Sequence, residues 1–158
     1  MKVLALILIL LLTGCSLVRN PVDVKAQYLE QIKEWQQRQQ KEGWTIDLVD
    51  NILEGTKWLT SYVFDEGDHW DTYKEISNKG LMGDCEDKAV AMIGSLKYLG
   101  YPHRAMVRIV TTMQPADHAI VVVEMPDGNI REYDSITSSF LDRMFYRKVV
   151  DFDEKEIK

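Results

Sequence analysis

Residues 83–102 restrict the possible folds more than any other stretch of the chain. Gly83 and Asp84 break one element and cap the next. Cys85, Ala89, Met92, Leu96 and Leu99 then recur at helical spacing, and Gly100 followed by Pro102 ends the run. After Pro102 the period changes. Ala105–Val110, His118–Met125 and part of Ile130–Ile136 are rich in β-branched residues, which predicts strands.

The turn between the last two strands sets their register. Pro126, Asp127 and Gly128 suit a three-residue hairpin loop, which takes two right-handed residues and then a left-handed one. That loop places Met125 opposite Asn129, Ile120 opposite Asp134, and His118 opposite Ile136. His118 and Asp134 then share a face as diagonal neighbours, within reach of a histidine–carboxylate contact. A two-residue Asp-Gly turn would put them on opposite faces.

Cys85 opens the helix among acids, in Gly83-Asp84-Cys85-Glu86-Asp87. A cysteine at a helix start, followed by a histidine and then an aspartate, supplies a thiol nucleophile, a base and a group to orient the base. The free N–H groups and dipole of a helix N-terminus favour a thiolate. The competing role is a buried cysteine acting as a small hydrophobe. Asp84, Glu86 and Asp87 argue against it, because all three would be costly to bury.

The second cysteine bears on location. Met1–Leu12 holds one Lys and an almost unbroken aliphatic run, too short to span a bilayer comfortably, and reads as a signal peptide. Its end, Leu12-Thr13-Gly14-Cys15-Ser16, resembles the bacterial lipoprotein signal, in which the chain is cut before the cysteine and that cysteine is acylated. An ordinary signal peptide with an incidental Cys15 is the alternative. The lipoprotein pattern implies a leader at 1–14, a tether at 15–21 and one domain at 22–158. It puts the protein in the bacterial cell envelope, and Ser16 points to the periplasmic face of the outer membrane. Cys85 is then the remaining thiol.

Lys and Arg number 19 against 25 Asp and Glu, a formal net charge of −6, and loss of Lys2 with the leader makes it more negative. That balance argues against nucleic acid and against polybasic lipid binding. Val22–Lys41 reads as a helix with Val24, Tyr28, Ile32 and Trp35 on one stripe. A second helix follows Gly43, with Thr45 and Asp47 as candidate caps and Leu48, Ile52, Leu59 and Val63 facing inward. Phe64–Lys79 reads as a polar, aromatic loop with a turn of helix. Phe140–Lys158 has no clear period.

The motif Gly83-Asp84-Cys85-Glu86-Asp87-Lys88-Ala89, with Leu96, Leu99-Gly100, Arg108-Ile109-Val110, His118-Ala119 and Tyr133-Asp134, resembles the bacterial transglutaminase-like cysteine peptidases of LapG type. Upstream Trp70 and Glu75 fit the same pattern. The resemblance spans Asp65–Ile136. It implies an α+β, papain-like core with the nucleophile helix packed on an antiparallel sheet. It implies Cys85 as nucleophile, His118 as base, Asp134 as orienter, and calcium on Asp84, Glu86 and Asp87. Members of this type clip surface adhesins in the periplasm and depend on calcium, so the implied partner is a protein substrate of the cell envelope.

Lys88 stands where the family has an aromatic or apolar residue, and Ser135 where it has Asn. The peptidoglycan peptidases of the NlpC/P60 type, another cysteine-enzyme family with lipoprotein members, carry Asp-Cys-Ser-Gly and fit poorly.

Charge near the thiol also points to calcium. Three carboxylates within two residues disfavour a thiolate, and a hard cation would relieve that conflict. The acids could instead only cap the helix. The same Cys, His and Asp would also support acyl transfer to an amine, and a binding module without turnover is the non-enzymatic alternative. His69 and His103 read as loop residues, and Trp70 as a packing residue or an oxyanion donor.

Overall fold

The computed structural model describes residues 21–63, 70–111, 117–136 and 146–153. The leader, Cys15 and the tether up to residue 20 lie outside these residues, as does His69. Among the described residues no helix is long and apolar enough to cross a membrane.

Two helices come first, α1 (Pro21–Glu42) and α2 (Ile46–Leu59). The predicted stripe of α1 is buried at Val24, Tyr28, Ile32 and Trp35. Thr45 caps α2, its hydroxyl accepting the Leu48 N–H at 3.1 Å. Asp47, the other candidate cap, pairs instead with Arg38 at 2.8 Å. Leu48, Val49, Ile52 and Leu53 turn inward. The expected inward stripe does not reach Val63: α2 stops at Leu59, and Val63 beyond it is exposed. Gly55 lets the two helices close, since a Cβ there would lie 2.6 Å from the Trp35 ring.

The cysteine-bearing helix α4 (Cys85–Tyr98) occupies the centre of the fold rather than one side of it. The spacing predicted a single apolar stripe, yet every residue from Asp87 to Leu96 is buried. The reason is packing on both sides, α2 on one and strands β3 (Ala105–Thr111) and β4 (Asp117–Glu124) on the other. Each aliphatic side chain so enclosed contributes about 1.5–3 kcal/mol. Buried Ser95 is satisfied by the Ala91 carbonyl at 2.8 Å and by the Tyr28 and Thr56 hydroxyls. Gly100, at φ +81°, ends the helix as its sequence position predicted.

The expected loop before α4 holds a short helix, α3 (Tyr73–Asn78), fixed by a capping box between Thr72 and Glu75. Around it, β1 (Ser61–Tyr62) and β2 (Met82–Gly83) form a two-stranded parallel pair. The main sheet is antiparallel, with order β5-β4-β3-β6, where β5 is Ile130–Asp134 and β6 is Arg147–Asp153. The hairpin register is the predicted one. Ile120 pairs with Asp134, the Met125 N–H donates to the Asn129 carbonyl at 2.7 Å, and Gly128 takes φ +81°. Strand β6 comes from the stretch without a clear period. Most of its length is exposed, and Arg108 of β3 holds it through Asp151 at 2.7 Å.

Candidate active site

Asp84 caps α4, accepting the Asp87 N–H at 3.4 Å. Asp87 in turn accepts the Asp71 N–H at 2.9 Å, which ties the segment just before α3 to the first turn of α4. Gly83 is required by this arrangement, because a Cβ there would fall inside the Asp87 side chain. Residues 83–87 therefore form one locked turn, and Cys85 sits within it, half-buried.

Two groups compete for the thiol. Its S–H donates to Glu86 Oε2 at 2.7 Å, and the backbone N–H of Ala119 donates to the sulfur. The Ala119 N–H is available because the β4–β5 ladder ends at the Ile120–Asp134 pair. Past that point the Ser135 hydroxyl takes the Ala119 carbonyl at 2.7 Å. Cys85 thus meets β4 at the residue that follows His118.

His118 is enclosed. Its Nε2 lies 3.1 Å from Asp134 Oδ2, an ion-pair distance approached off the in-line path of a hydrogen bond, with side chains 13% and 0% exposed. Asp134 is held from two further directions. Its Oδ1 accepts the Ile136 N–H at 2.7 Å, and its Oδ2 accepts the Tyr146 hydroxyl. The Tyr146 ring also stands 5.8 Å from the imidazole, centre to centre. Tyr146 lies within the aperiodic stretch Phe140–Lys158, so spacing gave no sign of it.

Burial first, and the acids around it second, hold the Cys85 thiol in its protonated form. Burial pushes the thiol up to about 12, with the Glu86 hydrogen bond adding to the rise and the Ala119 N–H opposing it. Burial also raises the Asp84 carboxyl above its ordinary range, helped by its hydrogen bond with Glu86. Ligand atoms of Asp84, Cys85 and Glu86 lie within 4.8 Å of one another. Two converging carboxylates, one of them disfavoured as an anion, are hard oxygen donors of the kind a divalent cation selects. Asp87, the third acid of the expected set, is engaged through Oδ1 with the Asp71 N–H.

Lys88, where the sequence departs from the family pattern, is buried. Its ammonium donates to the Lys57 carbonyl at 3.1 Å and the Thr60 carbonyl at 2.6 Å, capping the end of α2. Desolvation, and then the Lys57 charge, push it down to about 8. Tyr62 feels the charges of Cys85, Asp84 and Glu86, which, after its own partial burial, raise its hydroxyl. Neither residue stood out from spacing alone. Trp70 packs edge-on against Phe152 at 5.0 Å, Glu75 serves the α3 capping box, and His103 lies 3.9 Å from Glu124.

No family model and no curated protein matches the sequence. Solved structures do match. Calcium-bound LapG of Legionella pneumophila aligns with a TM-score of 0.53 at 20% identity, over 77% of this chain and 83% of LapG. The EGTA-treated form of the same protein gives 0.52 at 19% identity, over 77% and 81%. A candidate cysteine protease from Cytophaga hutchinsonii gives 0.59 at 16% identity, over 91% of this chain and 51% of its own. At these identities the likeness is one of fold: the chain has the α+β, transglutaminase-like fold of LapG, with its cysteine helix packed on an antiparallel sheet.

Proposed function

We propose that this protein is a cysteine hydrolase, a peptidase acting on proteins of the bacterial cell envelope and held there by acylated Cys15. The observation that carries the reading is the meeting of the Cys85 sulfur with the Ala119 N–H, next to a His118 that already faces buried Asp134. With Nε2 turned to Asp134, Nδ1 is the nitrogen left to serve the thiol. In this mechanism His118 takes the thiol proton, and the Cys85 sulfur adds to the substrate carbonyl. His118 then returns the proton to the leaving amine, and water hydrolyses the acyl-enzyme. Asp134 fixes the tautomer and stabilises the charged imidazole. The backbone N–H of Cys85, at the helix start, is suited to the oxyanion.

Asp84 and Glu86 are the residues suited to hold Ca²⁺, with Asp87 bracing the turn behind them. A bound Ca²⁺ would neutralise their charge and so lift much of their penalty on the thiolate. Ser16 after Cys15 supports a location at the periplasmic face of the outer membrane.

The test compares new protein N-termini in cell envelopes carrying wild-type or Cys85→Ala protein. Cleavages present with wild-type and lost with Cys85→Ala and His118→Ala are expected. Identical N-termini in all three would overturn the reading. Release of the Cys15→Ala protein from membranes tests the anchor separately.

A further inference from the structure

Strand β1 is two residues long, yet it is fixed to the nucleophile from two sides. It pairs in parallel with β2, the Ser61 N–H donating to the Leu81 carbonyl at 2.8 Å and the Val63 N–H to the Gly83 carbonyl at 2.9 Å. Gly83 lies two residues before Cys85. From the other side, Lys88, three residues after Cys85, grips the Thr60 carbonyl immediately before β1. The position of β1 relative to the thiol is therefore set by both the strand before α4 and the first turn of α4.

In a parallel pair, alternate residues direct their N–H and C=O to the partner strand. Ser61 and Val63 do so toward β2. The N–H and C=O of Tyr62 consequently point to the opposite edge, where no described strand pairs with them. Tyr62 is 50% exposed and Val63 46% exposed. Tyr62 also lies close enough to Cys85, Asp84 and Glu86 for their charges to act on its hydroxyl.

Exposed strand edges are usually guarded by charge. The two outer strands of the main sheet follow this rule, β5 with Arg131 and Glu132 and β6 with Arg147 and Lys148. Strand β1, Ser-Tyr followed by Val, carries no charge. An unguarded edge with exposed apolar side chains, held rigidly beside a nucleophile, is suited to adding a strand.

We infer that the outer edge of β1 at Tyr62 is the docking strand for the substrate, an extended and uncharged polypeptide segment whose main chain pairs with Tyr62 and so presents its carbonyl to Cys85. This rests on the hydrolase reading above. It makes substrate selection a matter of extended backbone first and side chains second. It also gives Lys88 a positioning role, since it holds β1 and α4 at fixed spacing.

The test measures alkylation of Cys85 in the full-length protein with Ca²⁺ present. Three probes are compared: iodoacetamide, acetyl-Ala-Ala-Ala-chloromethyl ketone, and its analogues N-methylated at each internal amide in turn. In each case the sulfur displaces halide from carbon. The ratio of the peptide rate to the iodoacetamide rate reports backbone docking independently of thiol reactivity. One analogue is expected to lower that ratio about three- to tenfold, the effect of one lost hydrogen bond. Tyr62→Pro removes the outward N–H without breaking a ladder bond and is expected to lower the ratio similarly. If that variant does not fold, the N-methyl series on wild-type protein decides alone. A ratio unchanged by every N-methylation overturns the docking strand and leaves the hydrolase intact. A Cys85 inert to all probes overturns both.

Discussion

Tyr146 donates its hydroxyl to the same Asp134 oxygen that faces His118 Nε2. The carboxylate is thereby clamped, with the Ile136 N–H at 2.7 Å on its other oxygen. A histidine base works only in the right tautomer and orientation, and an Asp free to rotate would give it neither.

Tyr146→Phe removes the clamp but keeps the ring against the imidazole. We expect kcat on a peptide spanning a mapped cleavage site to fall about three- to tenfold, with KM little changed. Asp134→Asn should cost far more, about 10²- to 10⁴-fold in kcat. Equal losses in the two variants would mean that the hydroxyl itself takes part in the chemistry. A normal Tyr146→Phe enzyme would mean that Ile136 alone suffices to hold Asp134.

Glu86 would set the sign of any effect of Ca²⁺ on the thiol. It accepts the Cys85 S–H at 2.7 Å, so its carboxylate favours the protonated thiol, on top of the larger rise due to burial. Neutralising Glu86 must lower the thiol. We expect Glu86→Gln to move the pH midpoint of Cys85 alkylation downward in EGTA. Wild-type protein should show the same direction of shift on adding Ca²⁺, together with restored turnover. An unmoved midpoint in both cases, with full activity in EGTA, would leave Asp84 and Glu86 as helix caps only.

The geometry of the candidate site was more legible in the sequence than the contacts that support it. The Pro126-Asp127-Gly128 turn determined the β4–β5 register, because left-handed Gly128 is a local requirement, and with it the His118–Asp134 pairing. The stripe of α1 and the cap of α4 were legible for the same reason. Three features were not. Helix α4 is buried all round because α2 and the sheet enclose it, a tertiary fact that one stripe of apolar residues does not encode. Strand β6 draws its order from β3 and the Arg108–Asp151 pair rather than from its own period. Tyr146 and Lys88 act through partners 12 and 28 residues away in the chain, so no local spacing marks them.

Lys88 gives a stability signature. Its folded pKa, about 8, lies below the ordinary lysine value of 10.5, first because of desolvation and then because of Lys57. Between these two pH values the unfolded chain binds more protons than the folded one, so this residue makes stability rise with pH. Cys85 acts in the opposite direction above its ordinary value, so the comparison belongs in a Cys85→Ala background. There, chemical denaturation in EGTA should show Lys88→Met losing ground against its parent as pH rises from 8 to 10. The loss comprises the Lys57 and Thr60 carbonyls left without a donor, about 1–3 kcal/mol. A difference between the two proteins that does not vary with pH would mean that Lys88 keeps an ordinary pKa in the fold.

Gly94 lies in the middle of α4, where two effects of opposite sign compete. In an exposed helix interior, Gly→Ala stabilises by about 1 kcal/mol through helix propensity. At Gly94 an added Cβ would fall inside the Tyr73 ring. Tyr73 cannot easily retreat, since its hydroxyl is bonded to Tyr28 at 2.5 Å, and Tyr28 is bonded to buried Ser95 of the same helix at 2.6 Å. Overpacking of this kind costs about 1–3 kcal/mol and would also break the hydroxyl chain, at about 1 kcal/mol for each bond lost. The unfavourable terms win, so Gly94→Ala should lower stability by about 1–3 kcal/mol in urea denaturation. The double variant Gly94→Ala with Tyr73→Ala should recover part of that loss, because the ring that the methyl strikes is gone. A stabilised Gly94→Ala protein would show that Tyr73 does not pack on α4 in this way.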